Sequence, residues 1–290
     1  MTPHLFSFGH GYSARALATL LLPHGWRVTG TTRDPARAEA MADDGVTPLL
    51  LPDEDPAPAL RQATHLLVSA GPTEGGDPAL ATLGPALAEV ASGLPWAGYL
   101  STTGVYGDHD GGWVDETTPL TPATTRGLAR VRAEAEWQAF AAATGLKLHI
   151  FRLAGIYGPG RGPFEKVRQG TARQIVKPGQ VFSRIHVDDI AQVLAASIAR
   201  PDPGTVYNVC DDDPAPPQDV LAHAARLLGL PEPPRVDWQD AAMSPMARSF
   251  YAESKRVRND RIKQELGVRL IHPDYRSGLA ALLAAESEHA

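Results

Sequence analysis

The sequence predicts an α/β protein: a doubly wound parallel sheet with helices on both faces, followed by a smaller C-terminal lobe. Three observations carry that expectation. Before residue 201, short apolar runs alternate with alanine-rich stretches, the pattern of strands joined by crossover helices. A glycine-rich turn stands where the first apolar run meets the first helical stretch. Beyond residue 201, proline-rich connections such as "DDDPAPPQDV" and "LPEPPRVDW" replace that regularity.

Taken in order, strands are expected over 5–8, 27–31, 47–51, 65–69, 98–101, 147–153 and 205–209, each a short apolar run. Between them, "SARALATLLLPHG" and "ATLGPALAEVASG" place apolar residues at helical spacing and finish near glycine, as helices do. No internal repeat is visible, and the proline stretches are too short to be disordered linkers.

Composition bounds the function classes. At 290 residues and 43% hydrophobic content the chain can bury a full core, as one large domain or as a core with a smaller lobe. A net charge of −6 and the lack of any Lys/Arg-rich tract argue against nucleic acid as a partner. The start "MTPHLFSFGHG" lacks the basic region and apolar run of a signal peptide, and no stretch reaches roughly 18 apolar residues, so a cytoplasmic protein with no membrane partner is expected. The single cysteine, Cys210, allows no internal disulfide and no cysteine-based metal cluster, and reads as a core thiol.

The first strand runs straight into "GHGYSARALATLL", giving Gly9-x-Gly11-x-x-Ala14 at the opening of a helix. Gly9 permits the tight turn, Gly11 lets backbone amides approach a pyrophosphate, Ala14 keeps helix and strand close, and the helix N-terminus adds partial positive charge. Tyr12 and Ser13 lie inside the same turn. The flanking strand and helix favour dinucleotide binding over a plain strand-to-helix turn. Further cofactor contacts are expected after later strands, at Asp53 and at Ala70 and Gly71.

About twenty residues past the glycines, where an acid would grip an NAD ribose, the second strand ends in Thr32 and Arg33. Arginine pairs with a 2′-phosphate in bidentate fashion, and Arg37 lies one helical turn on, with Asp34 and Pro35 read as cap and first helical residue. NADP is preferred on this chemistry. NAD stays open, because Asp34 also has the reach for a ribose hydroxyl and the two arginines also read as a solvated loop.

Four further stretches make the pattern specific: "LSTTGVYGD" at 100–108, "FRLAGIYGPGR" at 151–161, "RIHVDDIA" at 184–191 and "VYNVCDD" at 206–212. In this order they resemble the extended short-chain dehydrogenase/reductases, the branch containing nucleotide-sugar epimerases and dehydratases. The closing "SKRVRNDRIKQELGVRLIHPDYRSGLAALL" is similar to that group's last segment, so the resemblance spans nearly the whole chain. It implies a Rossmann-type core over 1–165, completed by about 184–210, and a substrate-binding lobe over 166–183 and 211–290.

The resemblance also implies a hydroxyl after the fifth strand, then Tyr-x-x-x-Lys on the next helix. Thr102 matches the hydroxyl. Aligning Gly127, Ala133 and Glu134 puts Arg126 on the tyrosine and Arg130 on the lysine. The family's tyrosine exchanges a proton with a substrate hydroxyl while hydride moves to or from nicotinamide. An arginine, with a pKa above about 12, does not shuttle protons, although Arg126 suits polarising a carbonyl or holding an anion. Arg130 keeps a cation for the ribose-binding task. The glycine spacing also departs from the common extended form, so the chain resembles the atypical members.

A substitute proton donor is expected in "GDHDGGWVDETTP", where His109 stands between Asp108 and Asp110; the competing reading is a solvated loop. Trp113 reads as a substrate platform or a lid over the core. Tyr106 and Tyr157 sit in segments that pack at strand ends. His186, Asp188 and Asp189 read as a strand followed by a capped helix start, so no metal is expected. The family's sugar-nucleotide enzymes often carry a diphosphate-binding arginine shortly before the segment matched by Ile185-His186-Val187. Here Phe182-Ser183-Arg184 occupies that approach with the arginine displaced, which weakens the case for a nucleotide-diphosphate sugar. Arg161, Arg168, Arg173 and Lys177 read either as anion binders or as a solvated face.

The leading expectation is an atypical NADP-binding enzyme that reduces, oxidises or epimerises a small polar carbonyl, alcohol or sugar-type compound, with Thr102 positioning the reacting oxygen. The competing class is a non-catalytic dinucleotide-binding redox sensor or regulator, and a scaffold that binds no dinucleotide comes last. A homodimer through the helices near 79–91 and 125–142 is expected by analogy.

Overall fold

The computed structural model describes residues 2–201 and 205–288. The first half lays down β1 (His4–Phe8), α1 (Tyr12–Leu21), β2 (Arg27–Thr32), α2 (Pro35–Asp43), β3 (Thr47–Leu50), α3 (Ala57–Arg61), β4 (His65–Val68), α4 (Pro78–Val90) and β5 (Trp96–Thr102). The middle adds β6 (Trp113–Val114), α5 (Thr125–Thr144), β7 (Leu148–Leu153), β8 (Gly155–Tyr157), α6 (Phe164–Arg168), β9 (Gln174–Val176), β10 (Arg184–His186), α7 (Val187–Ile198) and β11 (Thr205–Val209). The last part holds α8 (Pro217–Leu227), β12 (Arg235–Asp237), α9 (Pro245–Tyr251), β13 (Arg256–Val257), α10 (Asp260–Gln264) and α11 (Tyr275–Glu288).

Seven strands form one sheet in the order β11-β7-β5-β4-β1-β2-β3, and every neighbouring pair is parallel. Chain direction across the sheet reverses between β1 and β4, which opens a crevice at their carboxyl ends. All seven expected strands are present, with ends moved by one or two residues. The fifth begins at Trp96 rather than at 98 because Trp96 and Ala97 already pair with His65 and Leu66 of β4; the Trp96 ring folds over Gly98, where a Cβ would stand 2.3 Å from it.

The central strands β1 and β7 are buried throughout, as strands covered on both faces must be. One face packs Leu5, Leu67 and Phe151 against Leu17 of α1 and Ile190 and Val193 of α7. The other packs Phe6, Leu66, Tyr99 and Ile150 against Leu83 of α4 and Trp137 of α5. Each such side chain contributes about 1.5–3 kcal/mol by leaving water. A third cluster, with Phe164, Val167, Val220, Ala224, Leu279 and Leu282, forms under α6, α8 and α11.

The segment expected as lobe over 211–290 does not stay apart from the sheet. Val257, Ile262, Leu266 and Val268 pack into the α1–α7 face of the main core. They are drawn back by polar ties: the Cys210 thiol donates to the Val257 carbonyl, Asn259 donates to the Cys210 carbonyl, and Arg261 donates to the Val206 carbonyl. No helix among the described residues is long and apolar enough to cross a membrane.

Candidate functional site

The glycine turn lies at the β1 side of the crevice. Gly9 has φ +77°, and a Cβ there would stand 2.9 Å from Ala70, so the left-handed turn and the close approach both require glycine. Its N–H donates to Thr31 Oγ1 at 2.8 Å, and the Ser69 hydroxyl donates to its carbonyl. Gly11 caps α1 with no side-chain cap, and a Cβ on it would meet only the Gly9 carbonyl, at 3.7 Å. The N–H groups of Tyr12 and Ser13 begin the helix without intrahelical partners, while Ala14 is fully buried against the sheet. Open space above unpaired amides at a positive helix end fits a pyrophosphate.

The turn is fastened to the second half of the chain. Tyr12 Oη donates to the Pro159 carbonyl at 2.9 Å, and the Arg161 guanidinium lies 5.7 Å from the Tyr12 ring centroid. Below the turn, the buried His10 ring fills the space beside Gly30, and burial lowers its pKa to about 4.

At the end of β2, Thr32 Oγ1 accepts from the Asp34 N–H, and Asp34 caps α2 by accepting from the Ala36 N–H at 3.1 Å. Arg37 lies 3.7 Å from the same carboxylate. Arg33 and Asp53 are exposed at the ends of β2 and β3.

Across the crevice, Thr102 ends β5, and its Oγ1 accepts from the Gly104 N–H at 3.1 Å, leaving its O–H to donate. Arg130 reaches down from α5: Nη1 donates to Tyr99 Oη at 3.0 Å and to the Leu100 carbonyl at 2.9 Å. Its Nη2 lies 3.2 Å from where a Gly71 Cβ would stand. Arg130 thus joins the ends of β4 and β5, bringing Gly71 and the Thr102 strand together. Burial raises the Tyr99 phenol well above its ordinary value.

Arg126 points elsewhere. It is exposed, and its guanidinium lies 5.7 Å from the ring centroid of Phe250 on α9. His109 is held in a joint with the C-terminal segment. Its ring bonds the Tyr106 carbonyl at 3.2 Å, its N–H donates to the Ser254 carbonyl, and Asp108 accepts from the Ser254 N–H at 2.7 Å. Lys255 donates to the Gly107 carbonyl, and β6 pairs with β13. Trp113 is 52% exposed on that short pair, with the Arg258 guanidinium 5.2 Å from its ring centroid, so it covers no core.

Sequence reasoning missed the polar network under this site. Glu134 on α5 pairs with Arg152 on β7 at 2.8 Å and accepts from Ser101. Arg152 also donates to Tyr106 Oη, which donates to Asn208 Oδ1 at 2.7 Å. Burial pushes the Tyr106 phenol up to about 12. The available signal was polar residues, Ser101, Arg152 and Asn208, inside apolar strands. Tyr157 is buried at the end of β8.

The strand-then-cap reading of "RIHVDD" matches the geometry, with a different cap. His186 Nδ1 accepts from the Asp188 N–H, and Asp189 accepts from the N–H groups of Ile271 and His272. His272 joins this group, with its Nε2 3.5 Å from Asp188. His186, Asp188 and His272 thereby bring one ligand-type atom each to within 4.8 Å of one another.

Residues 86–210 match the family model described as NAD dependent epimerase/dehydratase family. The chain is 32% identical to Protein YeeZ of Escherichia coli (strain K12) over 281 residues, 92% of this chain and 95% of that protein. It is 34% identical to a 3-diazoavenalumate denitrifying reductase from Streptomyces sp over 182 residues, 57% of this chain and 58% of the reductase. The solved structure of a functionally unknown conserved protein from Silicibacter pomeroyi DSS superposes with a TM-score of 0.93 at 64% identity, over 98% of this chain and 99% of the other. With the glycine cradle at the sheet's switch point and a relative matched along nearly its whole length, the chain belongs to the NAD-dependent epimerase/dehydratase family.

Proposed function

We propose that the chain is an NADP-dependent oxidoreductase that acts on a small polar carbonyl or alcohol without the family's tyrosine proton relay. The observation that carries this reading is Arg130, tethered to Tyr99 and Leu100 and set against Gly71 in the slot the resemblance gives to the lysine. Gly9, Gly11, Tyr12, Ser13 and Ala14 would hold the pyrophosphate, Thr32, Arg33 and Arg37 the adenosine ribose with its 2′-phosphate, and Arg130 the nicotinamide ribose. Asp53, Ala70 and Gly71 line the same cofactor track. A bound nicotinamide supplies or accepts the hydride.

The chain's own groups then act on the substrate oxygen. The Thr102 O–H donates to it, the guanidinium of Arg130 adds a fixed positive charge that stabilises the alkoxide left by hydride delivery, and solvent water supplies the proton that completes the alcohol, or accepts it in the reverse direction. The similarity to a reductase supports the redox reading. A homodimer through α4 and α5 belongs to the same proposal, and Leu128 is 53% exposed on α5.

Titration with NADPH and turnover on a panel of small aldehydes and ketones tests this. The expected result is NADPH binding with measurable oxidation, and a loss of roughly 10²-fold in rate for Arg130→Met, the scale of a removed electrostatic stabiliser. Absence of NADPH binding overturns it. Arg126 favours a second reading, a redox sensor, because it reaches from α5 to Phe250 on α9 and gives a cofactor-dependent change a route to the lobe. Tight NADPH binding with no turnover on any carbonyl selects that reading.

A further inference from the structure

We infer that Arg161 is a pyrophosphate clamp for the dinucleotide, supplied to the glycine turn by the second half of the chain. This deepens the cofactor reading above and rests on it. The amides at the start of α1 offer only partial positive charge, whereas a pyrophosphate is doubly charged, so a guanidinium beside those amides completes the compensation. In the sequence, Arg161, Arg168, Arg173 and Lys177 read equally as anion binders or as a solvated face, and the structure separates them. Arg168 pairs with Glu286, and Arg173 donates to the carbonyls of Gly170 and Ala172. Lys177 donates to the Tyr251 carbonyl and stands over the Trp238 ring. Arg161 has no such commitment. Among the described residues its guanidinium forms no ion pair and no hydrogen bond, and it lies over the Tyr12 ring, 5.7 Å from the centroid. Arg15, also in the first turn of α1, is paired with Asp44 at 2.8 Å.

Tyr12 fixes where that cation sits. It is the first residue of α1, so its N–H is among the amides that open onto the cradle. Its hydroxyl donates to the Pro159 carbonyl at 2.9 Å, and Gly158 and Arg161 close the 158–161 turn by exchanging backbone hydrogen bonds of 3.0 and 2.9 Å. The turn lies tight on the phenol: a Cβ at Gly158 would stand 2.5 Å from Tyr12 Oη. The backbone of Arg161 is thereby held against the cradle while its side chain stays exposed and unpaired. Asp188, the carboxylate whose charge reaches Tyr12, stands with His186 and His272 and makes no ion pair with Arg161.

Exchange of partners favours the ligand. Leaving the face of a ring costs an exposed guanidinium little, and meeting a phosphate returns charged, bidentate hydrogen bonds. The place of the cation selects which phosphate. Arg33 and Arg37 stand at the end of β2, by the proposed 2′-phosphate position, whereas Arg161 stands at the helix start where the pyrophosphate would lie.

Fluorescence titration of the full chain with NADPH and with NADH tests the assignment, because both cofactors carry the pyrophosphate and only one carries the 2′-phosphate. Arg161→Gln should weaken both by the same factor, about tenfold or more, the scale of a lost charged hydrogen bond. The loss should shrink as salt is added, because charge pairing at an exposed site is screened. Arg161→Lys, which keeps the charge and loses the fork, should fall between wild type and Arg161→Gln. The melting temperature of the cofactor-free chain should not move, since the guanidinium is tied to nothing but a ring face. The inference falls if Arg161→Gln binds both cofactors as tightly as wild type does, if it weakens NADPH alone, or if the cofactor-free variant melts lower in step with its loss of binding. A wild-type chain that binds neither cofactor overturns the cofactor reading itself, and the clamp with it.

Discussion

Arg33 and Asp34 are neighbours with different fates. Asp34 accepts from the Ala36 N–H and stands beside Arg37, so its carboxylate is already engaged at the helix start. Arg33 is exposed at the end of β2, where the ribose of the proposed dinucleotide would lie. Replacing Arg33 with alanine should therefore weaken NADPH by about 1.5–3 kcal/mol, the scale of a charged hydrogen bond, and leave NADH nearly unchanged. Fluorescence titration with both cofactors measures this; equal losses would mean that Arg33 does not read the 2′-phosphate. The Asp34-Pro35 cap was legible in the sequence because capping involves residues two or three apart. The Arg130 tether was not, because Tyr99 and Leu100 lie some thirty residues away and meet it only when α5 crosses β5.

At the scale of elements, α5 is held to the sheet by an ion pair rather than by apolar contact alone. Glu134 and Arg152 are 2% and 5% exposed, and the pair is completed by Ser101 and by Tyr106 Oη. Removing one partner leaves a buried charge, so Arg152→Met should cost about 3–5 kcal/mol, whereas Glu134→Leu with Arg152→Leu should recover much of that. At about 2–4 °C per kcal/mol for chains of this size class, thermal melts should show a fall of roughly 6–20 °C for the single change. The single variant should also bind NADPH less well, because α5 carries Arg130; a melt within a degree or two of wild type would show that the pair does not hold the helix. The "Ala-Glu" of this helix served in the sequence only to set its register. That Glu134 anchors the helix depends on a partner from β7.

The whole molecule carries a pH dependence through its buried imidazoles. Burial lowers His10, His65 and His186 to about 4, for His186 with help from His272. Unfolded histidines titrate near 6.5, so between about 6.5 and 4 the unfolded chain binds more protons, and stability is lost as pH falls through that window. The loss is on the order of 1–2 kcal/mol for each ring by pH 5. Asp211, raised to about 8 by burial, works the other way: its contribution is whole below the unfolded value near ~3.9 and is lost as pH rises from there to about 8. Three rings outweigh one carboxyl below pH 6.5, so the melting temperature should drop between pH 7 and pH 5, and His10→Asn should flatten the slope. A flat profile over that range would show that these rings take up protons without unfolding.

The sequence alone determined the seven-strand order of elements, the glycine cradle, the α2 cap and the family, because each rests on local spacing that strand period, helix period and turn chemistry make visible. It also puts Arg126 and Arg130 on α5, at the positions the resemblance gives to tyrosine and lysine. Only the tertiary structure decided where these side chains go: Arg130 turned inward onto β5, Arg126 turned outward to Phe250, and His109 committed to the joint with Ser254. It likewise drew residues 257–268 back into the main core. The physical reason is common to all of these. A long side chain's direction is set by which distant carbonyl, ring or carboxylate satisfies it, and that partner exists only once the sheet has brought remote strands together.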